Sequence, residues 1–154
     1  AQGLSGKNYS GLIGAGTASQ CTVTYNDDTG KGVALNLYFD GNNNMRMEQH
    51  DTGYSDCPYA LAIYKGDSSG NGMLYLTCPE HEQEVLGHDF MTDEQCYWQS
   101  MNISSEWGGI GGASLGLGNG YMTPSLEYLP SPVYSCQGWT LDSSKFEVSG
   151  FVCD

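Results

Sequence analysis

A chain of 154 residues, 39% hydrophobic and 15% charged, is long enough for one domain with its own core and too apolar for a disordered polymer. Eighteen acidic residues against five Lys and Arg give a net charge of −13 at neutral pH. Such a surface repels phosphate backbones and anionic membranes, which argues against nucleic acid as a partner; solubility is its plainest use, and a basic protein or a divalent cation is the alternative.

The chain starts at Ala1 without an initiator Met and without a charged segment followed by an apolar one, as expected of a mature form left by signal-peptide removal. No apolar run approaches the roughly 20 residues that span a bilayer. Residues 3–19 are too rich in Gly for a stable helix interior, and Tyr9–Ala18 is expected as a first strand with small residues on one face. The opening Gly6-Lys7-Asn8-Tyr9 is loosely similar to that of lipocalin-type barrels, without the Trp that follows the Gly there, so no residue role carries over.

The clearest pattern follows. Cys21–Tyr25 is β-branched and aromatic, and Asn26–Gly32 reads as a turn. Val33, Leu35, Leu37 and Phe39 alternate with Ala34, Asn36, Tyr38 and Asp40, the two-residue period of a strand with one buried face. After the turn Asp40–Asn44, Met45 and Met47 continue the apolar face while Arg46, Glu48 and His50 continue the polar one. Residues 21–50 therefore predict a three-stranded antiparallel meander. Tyr59–Lys65 and Met73–Thr77, joined by Gly66–Gly72, predict another hairpin.

Thr77-Cys78-Pro79-Glu80 has the spacing of a helix-starting capping box, and Gly87 is a natural stop, so a short helix is predicted over 78–86. Gln95–Ile103, with Tyr97 and Trp98, predicts a strand. The Gly-rich stretch from Trp107 to Gly120 is a loop, or a strand whose bare face packs on something large. Its Gly108-Gly-Ile-Gly-Gly-Ala-Ser echoes Gly11-Leu-Ile-Gly-Ala-Gly-Thr. Pro124–Pro132 reads as an extended connection and Lys145–Cys153 as the last strand. The sum is a mostly β single domain over 1–154: an antiparallel barrel or two-sheet sandwich of about eight strands with one short helix.

Cysteines at 21, 57, 78, 96, 136 and 153 are even in number and lack Cys-x-x-Cys spacing. Three disulfides in an oxidising compartment is the reading this favours, which places the protein outside the cytoplasm: secreted, periplasmic or on a cell surface. Sequence does not choose among the pairings. The sequential set Cys21–Cys57, Cys78–Cys96 and Cys136–Cys153 is the expectation.

No catalytic motif stands out. A Gly-x-Ser-x-Gly elbow is absent, and His50, His81 and His88 lack the i, i+4 spacing of a zinc pair. Glu48 and Glu106 are the least trivial candidates for paired carboxylates, although solvated surface acids are the usual outcome. Asp67-x-Ser69-x-Asn71-Gly72 and Asp40-x-Asn42-x-Asn44 half-match calcium loops but sit in obvious hairpin turns. Asn8-Tyr9-Ser10 and Asn102-Ile103-Ser104 match the N-glycosylation triplet.

The aromatic residues are more informative. Eleven Tyr and three Trp accompany four Phe, and rings with a polar tip suit carbohydrate stacking and interfaces. Trp107, Tyr121 and Trp139 lie beside small residues and are the candidate ligand-binding residues. The alternative is that Trp98, Trp107 and Trp139 are core residues packed on disulfides, Trp98 first among them. The expected function is a non-enzymatic binding module for a glycan or other surface ligand, without cofactor or metal. An inhibitor or other interaction partner of a basic secreted enzyme is the second reading.

Overall fold

The computed structural model describes residues 9–50, 58–78, 88–89, 94–95, 98–107, 109–112, 126–148 and 152–153. A single antiparallel sheet dominates them. Its long strands are β1 (Ser19–Asn26), β2 (Gly32–Phe39), β3 (Asn44–Gln49), β4 (Ala60–Gly66) and β5 (Gly72–Thr77). The chain continues through a two-residue pair, β6 (His88–Asp89) with β7 (Glu94–Gln95), then β8 (Trp98–Ile103) and β9 (Val133–Gly138). The spatial order of the main sheet is β10-β8-β5-β4-β3-β2-β1-β9, where β10 (Val152–Cys153) adds a short parallel pairing to β8.

The meander over residues 21–50 and the hairpin that follows form as the alternation predicts. Both tight hairpins are built from the same six residue types, Asp-x-Thr/Ser-Gly-x-Gly. In the first, the Gly30 N–H donates to the Asp27 carbonyl and the Asp27 N–H to that of Lys31. Oδ1 of Asp27 accepts from the Thr29 and Lys31 amides and from the Thr29 hydroxyl. The second repeats this pattern with Asp67, Ser69, Gly70 and Asn71. Gly30 and Gly70 take φ of 84° and 92°, the left-handed position that closes such turns and that side chains resist.

Each strand presents one face to a main core: Cys21 and Val23, Leu35 to Phe39, Met45 and Met47, Ala60 to Tyr64, Leu74 and Leu76 at every second position. Irregular segments cover that face through Leu12, Ile110 and Leu126. The other face buries a smaller cluster of Leu61, Ile63, Trp98 and Phe146, on which Trp139 and Val148 pack. Residues 139–148 thus strap across the second face.

Several expectations are corrected. The sheet is not a closed barrel, because β9 and β10 hold its opposite edges, and the described residues show no two-sheet sandwich. Loops and straps supply the covering layer instead of strands. Tyr9–Leu12 forms a helical turn rather than a first strand, and Leu12 is fully buried by it. Where the last strand is expected to start, Ser143–Phe146 is a 3-10 turn capped by Asp142, and among the described residues of that stretch only Val152–Cys153 pairs, as β10. Leu126–Tyr128 is likewise a 3-10 turn within the expected extended connection. The helix expected over 78–86 falls, beyond Cys78, outside the described residues.

The disulfide expectation is corrected too. Cys21 and Cys136 face each other across β1 and β9 and are bonded, so neither Cys21–Cys57 nor Cys136–Cys153 forms. The register is the reason: a pair directly opposite on adjacent strands already lies within bridging distance, here 4.0 Å between Cα atoms. Cys78 is also disulfide-bonded. Among the described residues no helix is long and apolar enough to cross a membrane.

Candidate functional site

The outer part of the second face, on β9, β1 and β2, is not covered by the strap. The register sets three rows across these strands: Gln137–Gln20–Tyr38, Ser135–Thr22–Asn36 and Val133–Thr24–Ala34. Val133, Ser135, Gln137, Thr24 and Ala34 are exposed, and Gln20, Thr22, Asn36 and Tyr38 half-buried. No charged residue stands in these rows, although the chain as a whole carries −13. The Gln137 side-chain amide donates to Oε1 of Gln20 at 3.3 Å, and the Thr22 hydroxyl to Oδ1 of Asn36 at 3.4 Å. Cross-strand bonds of this kind hold the amides in a fixed ladder with donors and acceptors left for a ligand.

Trp139 borders this ladder. It follows Gly138, the last residue of β9, and its ring meets that of Tyr38 edge-to-face, 5.3 Å between centroids. Its indole N–H donates to the Phe39 carbonyl at 3.2 Å, which fixes the ring plane. Phe146 supports it from the strap at 6.5 Å, and the Lys145 ammonium lies 4.9 Å from the Tyr38 centroid. The result is a half-exposed indole, already oriented, beside uncharged hydrogen-bonding groups. Burial, with the Glu48 charge behind it, pushes the Tyr38 phenol above its ordinary pKa, so it stays protonated at neutral pH.

Of the three aromatic candidates read from sequence, Trp139 is therefore placed at a defined surface. Trp107 ends the 3-10 turn Ser105–Trp107 after β8, on the far side of the sheet from β9, and its side chain lies outside the described residues. Tyr121 lies outside them altogether. Trp98 is buried in the second cluster, edge-to-face with Tyr75. The amide ladder was missed by sequence reasoning because β9 was missed. The signal was present: Val133, Ser135 and Gln137 alternate with Tyr134 and Cys136 immediately after Pro132.

Glu48 lies within the sheet, 7% exposed, with Oε2 2.7 Å from Arg46 Nε and Oε1 3.5 Å from His50 Nε2. His50 stacks on Tyr59 at 4.5 Å between centroids. Arg46 also donates to the Lys145 carbonyl at 3.1 Å, so this ion pair ties the strap to the sheet. Glu106, by contrast, is exposed in the turn after β8. Both half-matches to calcium loops are occupied by their own turns: Asp67 Oδ1 takes three donors, and Asp40 accepts from the Asn42 and Asn44 amides and the Asn44 side chain. The same hydrogen bonding, led by the Ser69 hydroxyl, holds the Asp67 carboxyl below its usual range, and the Thr29 hydroxyl does so for Asp27. No cluster of three metal-ligating side chains occurs among the described residues.

Comparison with protein families, with curated proteins and with solved structures returned no match.

Proposed function

We propose that this protein is a non-enzymatic binding module that works outside the cytoplasm and takes an uncharged glycan on the β9–β1–β2 face. The observation that carries the reading is Trp139, a ring held by its own N–H bond and by Tyr38 at the border of the Gln20–Gln137 ladder. An indole offers an apolar face to sugar C–H groups, and side-chain amides offer both donors and acceptors to hydroxyls. Orientation before binding reduces the entropy lost on association. A disulfide that staples the edge strand fits an oxidising compartment.

The test is a glycan array probed with the oxidised protein, with and without calcium, followed by titration of any hit. Trp139→Ala should weaken binding by about tenfold or more while cooperative melting survives, the size expected for a central aromatic contact. Binding independent of calcium is expected, because the turn carboxylates are engaged by their own backbones. Saturable binding that Trp139→Ala leaves unchanged would remove this face as the site. The second reading, a partner for a basic secreted protein, draws on the net charge of −13 and predicts an affinity that falls steeply with salt.

A further inference from the structure

The end of the sheet where β2 turns into β3 and β4 into β5 holds a groove of about 410 Å³. Two segments that echo each other in sequence both line it: Gly11, Ile13 and Gly14 from one, Gly109 and Ile110 from the other. Backbone bonds lock them to the turns. The Asn43 N–H donates to the Ile13 carbonyl, and the Gly109 N–H to that of Ser104. The Ser105 N–H donates to Oδ1 of Asn71, joining the β8 end to the β4–β5 turn. The glycines allow close packing around the groove: a Cβ on Gly14 would lie 3.2 Å from Asn43 Oδ1, and one on Gly70 3.3 Å from Ser105 Cβ.

Its chemistry is one-sided. Tyr64, Asp67, Ser69 and Asn43 line it, and among the described residues no Lys, Arg or His does. Three donors of its own turn converge on Asp67 Oδ1, and none of these three bonds goes to Oδ2. We propose that this groove binds an alkylammonium group, as on a lysine side chain or a short diamine, with the ammonium on Asp67 and the methylenes between Ile13 and Ile110. The site is separate from the glycan face and does not depend on it. A groove of this size with apolar and polar lining has the form of a small-ligand site; the Asp67 carboxylate is exposed, so it supplies a surface ion pair while Ile13 and Ile110 supply the apolar contact. The turn donors keep Asp67 ionised at neutral pH.

The experiment is a ¹⁵N-correlation titration of the oxidised chain with pentylamine, 1,5-diaminopentane and Nα-acetyl-lysine methylamide, against pentanol and pentanoate. Saturable shifts of the Gly14, Gly70 and Gly109 amides with the ammonium probes, and none with pentanoate, are expected. Asp67→Asn keeps the turn acceptor and removes the charge, and it should weaken binding about two- to fivefold, the loss of one exposed ion pair. Asp27→Asn makes the same change in the matching turn, away from this groove, and should leave binding unaltered. Equal binding by pentylamine and pentanoate in the unaltered chain would overturn the proposal, as would the absence of groove shifts at about 10 mM probe or an Asp67→Asn protein that binds as well as the original.

Discussion

Cys21 and Cys136 are separated by 115 residues yet sit opposite each other on β1 and the edge strand β9. Replacing both by Ala removes a very long loop constraint from the unfolded chain. The chain-entropy relation gives about 5 kcal/mol for a loop of this length at 25 °C. Cys21 is fully buried, so the lost sulfur packing adds about 1 kcal/mol. The disulfide at Cys78 already shortens the free chain, which makes the entropic figure an upper bound. At roughly 2–4 °C per kcal/mol for a domain of this size, Tm should fall by about 10–20 °C. Calorimetry of the oxidised double variant measures it, and a non-reduced digest of the unaltered protein should recover the Cys21 peptide joined to the Cys136 peptide. A Tm drop under about 4 °C would refute the unfolded-state argument. A Cys21 peptide joined to Cys57 would refute the pairing of β9 with β1, and with it the amide ladder.

Other consequences test the remaining parts of the fold. Gly41→Ala should cost about 3 kcal/mol or more in urea unfolding, because φ is 78° and a Cβ would lie 2.7 Å from the Thr17 carbonyl carbon; Gly138→Ala, with nothing within 4 Å, should change stability by less than about 0.5 kcal/mol. Arg46→Met strands the buried Glu48 carboxylate and releases the Lys145 carbonyl, an expected loss of about 3 kcal/mol, whereas Arg46→Met combined with Glu48→Leu should recover most of it. Asp27, Asp67 and Asp142 have lowered carboxyl pKa values, each led by a hydroxyl hydrogen bond. Their stabilisation is therefore complete above the ordinary carboxylate pKa and is lost as pH falls through the lowered ones, so Asn at all three positions should flatten the acid limb of a pH–Tm curve.

The meander was legible because its code is local. Alternation over Val33–Phe39 and two Asp-x-Thr/Ser-Gly-x-Gly turns specify strand, face and register within a few residues. What lay beyond reach is long-range. Nothing near Cys21 announces Cys136, and nothing in Lys145–Cys153 says that Phe146 is taken by the second cluster of a sheet formed a hundred residues earlier. The alternation of Phe146 and Val148 was real, but it reports one buried face, which a strap supplies as well as a strand. Closure of a barrel requires the two edges to meet, and alternation carries no information about edges. For the site, aromatic type and small neighbours pointed to Trp139, whereas the partner groups Gln20 and Gln137 come from strands far apart in the chain.

The two proposed sites answer to salt differently, which allows each to fail alone. The β9–β1–β2 rows hold no charge, so a neutral glycan bound there gains nothing from the −13 of the chain, and its affinity should be flat from low to physiological ionic strength. The groove beside Asp67 gathers acceptors without a cationic side chain among the described residues, so an alkylammonium ligand is drawn both by the contact and by the field of the whole protein. Its affinity should fall over the same salt range. Titrating both ligands across that range, on the unaltered protein and on Trp139→Ala and Asp67→Asn, yields six slopes. Trp139→Ala should change only glycan affinity and Asp67→Asn only ammonium affinity. If Trp139→Ala also weakened the ammonium ligand without lowering Tm, the two surfaces would be coupled through the sheet and their assignment as separate sites would be wrong.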